Sequence, residues 1–175
     1  SAFSVGMQVR MISSFVGLAF MSAAMARVGQ NMGARKPALA ERSGWISAAI
    51  AAALMSAVAA LFLIFPEHIM AFFTADREVI DMGKTFFMIV AVTEPVMAFA
   101  FALGGALRGG GDPLSPFVYA SVSDLLVVIC AGYILAVRCN MGLAGIAVAI
   151  AISAVTRALP TMWKFREGKW KSTRL

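Results

Sequence analysis

The amino-acid sequence predicts an all-α integral membrane protein, built as a bundle of five transmembrane helices. Its 175 residues are 61% hydrophobic and only 14% charged, whereas a soluble domain averages about 45–50% apolar and about 25% charged residues. Its apolar residues also form long blocks, each close to the 20 or so residues that a helix needs to cross the hydrocarbon core. So few polar residues cannot coat a soluble globule, and we expect lipid to be the solvent.

Five apolar blocks have the length and composition of membrane-spanning helices. They lie at about residues 2–27, 43–66, 84–107, 114–137 and 141–163. Small residues are frequent in the second and fifth blocks, as in SAAIAAALMSAVAA and GLAGIAVAIAISA, and they allow helix backbones to approach closely. We therefore expect one packed domain over residues 1–175, with a basic tail over 164–175.

The basic residues predict how the bundle is oriented. Eleven Lys and Arg side chains, with Arg157 near the end of the fifth block counted among them, are assigned to the side that holds residues 27–42, the turn at 108–113 and the tail, and four to the other. The positive-inside rule places the first side, and the C-terminus, in the cytoplasm of a plasma (bacterial inner) membrane. The tail is expected to lie along the inner leaflet. Because this topology starts outside, we also expect an upstream helix and a longer protein of which this is the C-terminal piece.

Several other classes of function are disfavoured. The net charge of +6 comes from residues at the ends of apolar blocks, so no nucleic-acid partner is expected. The stretch GGALRGGGD lacks the preceding strand and the Lys-Ser/Thr of a phosphate-binding loop, and a tight hairpin explains it better. No catalytic or metal-ligand motif is present in the sequence. We predict that the protein is not an enzyme and uses no cofactor.

Two acidic residues lie inside the apolar blocks. Glu94 and Asp124 are each ten residues from the end of a block, about 15 Å deep in a core about 30 Å thick. Their helices are consecutive and antiparallel, so we expect them to be neighbours, with no basic residue at the same depth. A charged acid there costs at least about 2.5–3.5 kcal/mol. Both should therefore face the bundle interior or a water-filled cavity.

Such acids suit the binding of a cation. Glu94 and Asp124 are the candidate residues for ion coupling and substrate binding, with H⁺ or Na⁺ as the coupling ion and a possible Na⁺ site at Glu94. Pro95 removes a hydrogen bond from its helix and permits a kink, so it is the candidate gating residue. The structural alternative is that each acid is protonated and hydrogen-bonded to a neighbouring helix. For Asp124, Ser121 and Ser123 could provide such bonds.

Three short motifs resemble one transporter family. RVGQNMGARKPALAE (27–41), ALRGGGDP (106–113) and MGLAGIAVAIA (141–151) are similar to the VGQ-x-x-GA loop, the LRG-x-GD turn and the G-x-x-G-A-like helix start of the multidrug and toxic compound extrusion (MATE) family. The resemblance covers essentially the whole chain in register. The chain departs from the family pattern at Pro113, where Thr is usual, and at Glu94, where an amide is more common.

The resemblance implies a larger assembly and a transport function. The five helices would belong to a six-helix lobe of a twelve-helix transporter, whose N-terminal lobe is a partner within the same protein. The implied activity is export of small organic, often cationic, drugs or toxic compounds in exchange for H⁺ or Na⁺ by alternating access. Two alternatives remain: a related flippase for lipid-linked sugars, which should have basic residues in its cavity, and a non-transporting membrane scaffold subunit.

Overall fold

The computed structural model describes residues 2–73 and 77–172, and all the regular elements in these two ranges are helical. A continuous helix, which we call the fourth span (Leu114–Arg138), contains two π-helical segments. In chain order the elements are α1 (Ala2–Gly33), α2 (Pro37–Ile64), α3 (Pro66–Phe73), α4 (Arg77–Gly109), α5 (Leu114–Ser121), a π segment (Val122–Val127), α6 (Val128–Tyr133), a second π segment (Ile134–Arg138), α7 (Gly142–Glu167) and a 3₁₀ turn (Lys169–Ser172).

All five predicted blocks are helical, which confirms the all-α fold. Within the described ranges, three helices are long and apolar enough to cross a membrane, namely Pro37–Ile64, Leu114–Arg138 and Ala144–Glu167. The first and third blocks lie within α1 and α4, which exceed their predicted bounds at one or both ends. Residues 67–83, between the second and third predicted blocks, were expected in a loop, but α3 occupies Pro66–Phe73 and α4 begins at Arg77. Pro66 at the first position of α3 and Glu67 in its first turn favour a helix start.

Helix α4 is the centre of the bundle and packs against α1, α2 and α7. Its contact with α1 is so close that a Cβ atom on Gly105 or Gly109 would overlap the backbone carbonyl oxygen of Met21 or Met25. Further along the same seam, Gly17 faces the ring of Phe101. All three pairs are separated by 84 residues, so α1 and α4 run parallel and in register. The first block lies in α1 and the third in α4. Their parallel direction is what is expected if each of the first three blocks crosses the membrane once.

Helix α7 also runs parallel to α4. Ile89 near the start of α4 packs against Ala147 and Ile150, and Phe101 lies beneath the guanidinium of Arg157. The fourth span packs mainly along α7, and it meets α4 through α5, close to the connecting turn. The expectation that the third and fourth spans are neighbours along their length is therefore wrong, because α7 lies between them.

The C-terminal segment folds back onto the bundle. Trp170 is 1% exposed, stacks on Phe165 with ring centroids 4.9 Å apart, and covers Gly110, where a Cβ atom would collide with the indole. Its indole N–H donates to the Phe165 carbonyl at 2.9 Å, and Lys171 pairs with Glu41 at 2.6 Å. The predicted basic tail is thus shorter than expected, since residues up to Ser172 belong to the helical bundle and α7 itself continues to Glu167.

The α1–α4 contact predicts a large difference between two adjacent glycines. Gly105→Ala must push two backbones apart and should destabilise the protein by about 1–3 kcal/mol, as overpacking does. Gly104→Ala is the matched control, because its Cβ atom would lie 3.6 Å from Pro116, an ordinary contact. Thermal unfolding of both variants in the same mild detergent measures the difference. Equal melting temperatures would contradict the close approach of the helices.

Trp170 and Trp163 provide a second comparison. Trp170→Ala removes a buried side chain that joins α7 to the turn after α4, so we expect a loss of about 3 kcal/mol or more. Trp163 lies on the same helical end but is 76% exposed, and Trp163→Ala should have much less effect on the unfolding of the protein. Proteolysis with mass spectrometry should also show faster cleavage near residue 168 in the Trp170 variant alone.

Candidate functional site

Glu94 lies in the buried interior, on the central helix. It is 5% exposed, and its neighbours Ala91, Thr93 and Ala98 on α4 are buried as well. This position agrees with the expectation that the carboxylate faces the bundle interior. Along α7, Glu94 lies between the level of Ile150 and the level of Arg157. Extending the 84-residue offset along α1 places the backbone of residue 10 at the level of Glu94.

Pro95 follows Glu94 inside an unbroken helix. A proline has no backbone N–H, so the carbonyl of Ala91, four residues earlier, receives no helical hydrogen bond from position 95. This carbonyl belongs to a fully buried residue, one turn from the Glu94 carboxylate. A carboxylate and a backbone carbonyl on adjacent turns are both oxygen donors, the ligand type that hard cations such as Na⁺ prefer. The Glu-Pro sequence thus places a carboxylate oxygen and a backbone carbonyl without a helical hydrogen bond within one turn of each other.

Asp124 has a different environment. Its carboxylate accepts from Arg157 Nη1 at 3.3 Å, and its side chain is 53% exposed while that of Arg157 is 16% exposed. The Arg157 guanidinium also lies over the Phe101 ring, 5.1 Å from its centroid. The expectation that no basic residue reaches the depth of the acids is therefore wrong for Asp124. It failed because Arg157 was assigned to the cytoplasmic end, whereas α7 extends ten residues beyond it.

The first π segment carries two consecutive polar residues that contact α7. Ser123 and Asp124 contact Thr156 and Arg157, and Thr156 Oγ1 lies 3.1 Å from Ser123 Oγ. The wider π turn accommodates an extra residue, and such turns often occur at functional positions. We call the two pairs together the polar stitch between the fourth span and α7. The predicted local bonding of Asp124 by neighbouring serines is replaced by this interhelical arrangement.

The two acids also differ in depth. Arg157 lies at the level of Phe101, which is seven residues, or roughly 10 Å, beyond Glu94 along α4. Its partner Asp124 therefore lies closer to the turn end of the bundle than Glu94 does. The estimate of equal depth does not hold, because Glu94 lies 15 residues before the end of α4 at Gly109, whereas Asp124 lies ten residues after the start of the fourth span at Leu114. Glu94 and Asp124 therefore do not face each other across two neighbouring helices, as the sequence had suggested.

The two loop motifs have structural roles at the turn end. Asn31 donates to Ser43 Oγ at 2.9 Å and to the Leu39 carbonyl at 3.5 Å, so it ties α1 to α2. In the glycine turn, Gly111 has φ of 90°, and Asp112 accepts from the backbone N–H and the hydroxyl of Ser115. Asp112 thereby caps the start of the fourth span. This arrangement agrees with the tight hairpin expected for GGALRGGGD.

Comparison with known proteins decides the family. A sequence model of the MatE family matches residues 1–134. The chain belongs to the MatE family. It is 28% identical over 168 residues to multidrug and toxin extrusion protein 1 of Homo sapiens, covering 96% of this chain and 30% of that protein. It is 25% identical over 170 residues to multidrug resistance protein NorM of Burkholderia vietnamiensis, covering 94% of this chain and 37% of NorM.

The fold agrees with the family assignment. A solved structure described as the inward-facing conformation of a multidrug resistance MATE family transporter matches 91% of this chain with a TM-score of 0.78 at 18% identity, and the match covers 37% of that transporter. The MatE chain thus spans about a third of the length of these relatives. The expectation that it is not an enzyme agrees with their names, which describe extrusion, resistance and transport proteins.

The Asp124–Arg157 pair predicts a measurable interaction energy. A double-mutant cycle with Asp124→Asn and Arg157→Gln should give a coupling of about 1 kcal/mol in thermal unfolding, the size typical of polar contacts between membrane helices. The Glu167–Lys169 pair, which joins the end of α7 to the 3₁₀ turn, is the control and should give less coupling because Lys169 is exposed. A coupling no larger than that of the control would show that the contact does not hold the two helices together.

Proposed function

We propose that the MatE chain is part of a cation-coupled antiporter that exports small organic, mainly cationic, compounds across the plasma membrane by alternating access. The observation that supports this most directly is the burial of Glu94 on the central helix beside Pro95. The named relatives are multidrug extrusion and resistance proteins, which supports the substrate class. Because the chain covers about a third of their length, we propose that further helices of the same protein, including an N-terminal lobe, complete the transport path.

Glu94 is the proposed coupling residue. A carboxylate deep in a bilayer is costly when charged, about 2.5–3.5 kcal/mol on insertion scales, so occupancy by H⁺ or Na⁺ stabilises it. A cationic substrate that competes for the same carboxylate displaces the coupling ion, and the two are therefore exchanged. Antiport also requires that each ligand binds one conformation of the protein better than the other. In this scheme Pro95 is the bend point of α4, and the Ala91 carbonyl supplies a second oxygen.

Asp124 has a secondary part in the proposed cycle. One of its carboxylate oxygens accepts from Arg157, so a coupling ion or a substrate competes with a guanidinium at that oxygen. The flippase alternative requires excess positive charge inside the bundle. Asp124 offsets the charge of Arg157. This pair therefore supplies none of the excess positive charge that a flippase for anionic lipids would need. In the bacterial inner membrane, with the C-terminus in the cytoplasm as proposed, export runs away from the turn end.

Removal of the Glu94 charge should abolish coupled transport. Glu94→Gln keeps the side-chain size but cannot bind a cation as a carboxylate does, so ion-driven efflux should fall to the background of vesicles without the protein. The measurement is export of a fluorescent organic cation from proteoliposomes under an imposed pH gradient or an imposed Na⁺ gradient. The gradient that drives the unmodified protein also identifies the coupling ion.

Two variants serve as controls for this assay. Glu167→Gln alters an exposed acid at the end of α7 and should leave efflux unchanged, whereas Glu94→Asp keeps the charge and should retain part of the activity. Equal expression and equal melting temperatures must accompany the loss in Glu94→Gln. Full ion-driven efflux by that variant would remove Glu94 from the mechanism.

A further inference from the structure

A groove lies beside the glycine turn, at the end of the bundle that is rich in basic residues. It has a volume of about 380 Å³ and is lined by Arg108, Pro113, Leu114 and Phe117. Three of these residues are apolar, and both Leu114 and Phe117 are exposed. They are three residues apart in the first turn of the fourth span and therefore lie on the same face of the helix. The groove thus combines one cationic group with an apolar wall.

Arg108 has little to balance its charge. Its Nη1 atom donates to the Met21 thioether sulfur at 2.9 Å, and over residues 2–73 and 77–172 this is the one polar contact that its guanidinium makes. A guanidinium stays charged and has five N–H donors, whereas a thioether is a weak and neutral acceptor. Most of the hydrogen-bonding capacity of this half-buried cation is therefore available to an anion.

The nearest acidic group along the chain is already occupied. Asp112 accepts two hydrogen bonds from Ser115 and lies 3.9 Å from Lys164 Nζ. Its charge is therefore offset by a different cation and by the backbone N–H at the start of the fourth span. The groove is left with the positive charge of Arg108. An anionic ligand fits this charge, and an organic cation, the proposed substrate class, does not.

We propose that this groove binds one anionic phospholipid, whose phosphate lies on Arg108 and whose acyl chain lies along Leu114 and Phe117. The charge of the groove selects an anion, and its apolar wall selects an anion that carries a hydrocarbon chain. Positive-inside orientation places the turn at the cytoplasmic leaflet, where anionic lipids lie and attract basic groups. An arginine can hold a phosphate through two parallel hydrogen bonds. Phospholipid is thus the occupant that uses both halves of the groove.

Lipid binding to the purified, full-length protein tests the proposal without any transport measurement. Phosphatidylglycerol and phosphatidylcholine with the same acyl chains are added in mild detergent, and bound lipid is counted by native mass spectrometry. We expect the unmodified protein to retain phosphatidylglycerol in preference to phosphatidylcholine. Arg108→Gln should weaken phosphatidylglycerol binding about tenfold, because it removes a charge-assisted contact with phosphate. Gln can still donate to Met21, which limits any effect on folding.

The remaining arms separate this site from general attraction to basic surfaces. Arg42→Gln changes an exposed arginine at the same end of the bundle and should leave phosphatidylglycerol binding unchanged. Phe117→Ala should weaken the binding of long-chain lipid more than that of a short-chain lipid with the same headgroup. Equal retention of both lipids, or equal losses in the Arg108 and Arg42 variants, would overturn the proposal. Equal displacement of the long-chain and the short-chain lipid by millimolar inorganic phosphate would overturn it too, because the acyl chain would then contribute nothing to binding.

Discussion

The close parallel packing of α4 against α1 is the contact on which the rest of the bundle depends. Between lipid-embedded helices the hydrophobic effect supplies little attraction, so association relies on packing at short range. Gly105 and Gly109 permit that range, because any Cβ atom there would overlap the backbone of α1. With α1 on one side and α7 on the other, α4 becomes the buried centre. The burial of Glu94 follows from this position, since neighbouring helices surround α4.

The sequence predicted most of the fold, but it did not predict which helices are neighbours. A block of about 20 apolar residues has few structural options in lipid, so block boundaries translate directly into helices. Lateral packing depends on side-chain shape, which chain order does not encode. The third and fourth spans are joined by a tight turn and diverge beyond it. Their adjacency along the chain suggested that they pack together, but α7 packs against both of them instead. Small residues on α4 were the available signal for the true contact with α1.

The two acids were predicted together, and the structure separates them. Glu94 was correctly expected to face the interior, because its surroundings in the sequence are apolar on all sides. Asp124 was judged by its distance from the end of its own block, and its partner Arg157 was counted with the cytoplasmic residues although it lay six residues inside the predicted end of the fifth block. In the structure α7 continues ten residues beyond Arg157 to Glu167, so this basic residue lies well inside the helix and reaches Asp124 on the neighbouring span.

The contacts around α4 differ in kind, and this difference bears on the proposed antiport cycle. At the α1–α4 contact two backbones touch directly through Gly105 and Gly109, so a shift of one helix against the other would bring side chains into that close contact. The polar stitch between the fourth span and α7 is made of side chains, and it includes an ion pair with one 3.3 Å contact and a half-exposed partner, which another polar ligand can replace. The fourth span also has π-helical segments, whose hydrogen-bond pattern can revert to α-helical. A conformational change that opens and closes access to Glu94 would therefore use the boundary of the fourth span with α7, while α1 and α4 move as one body.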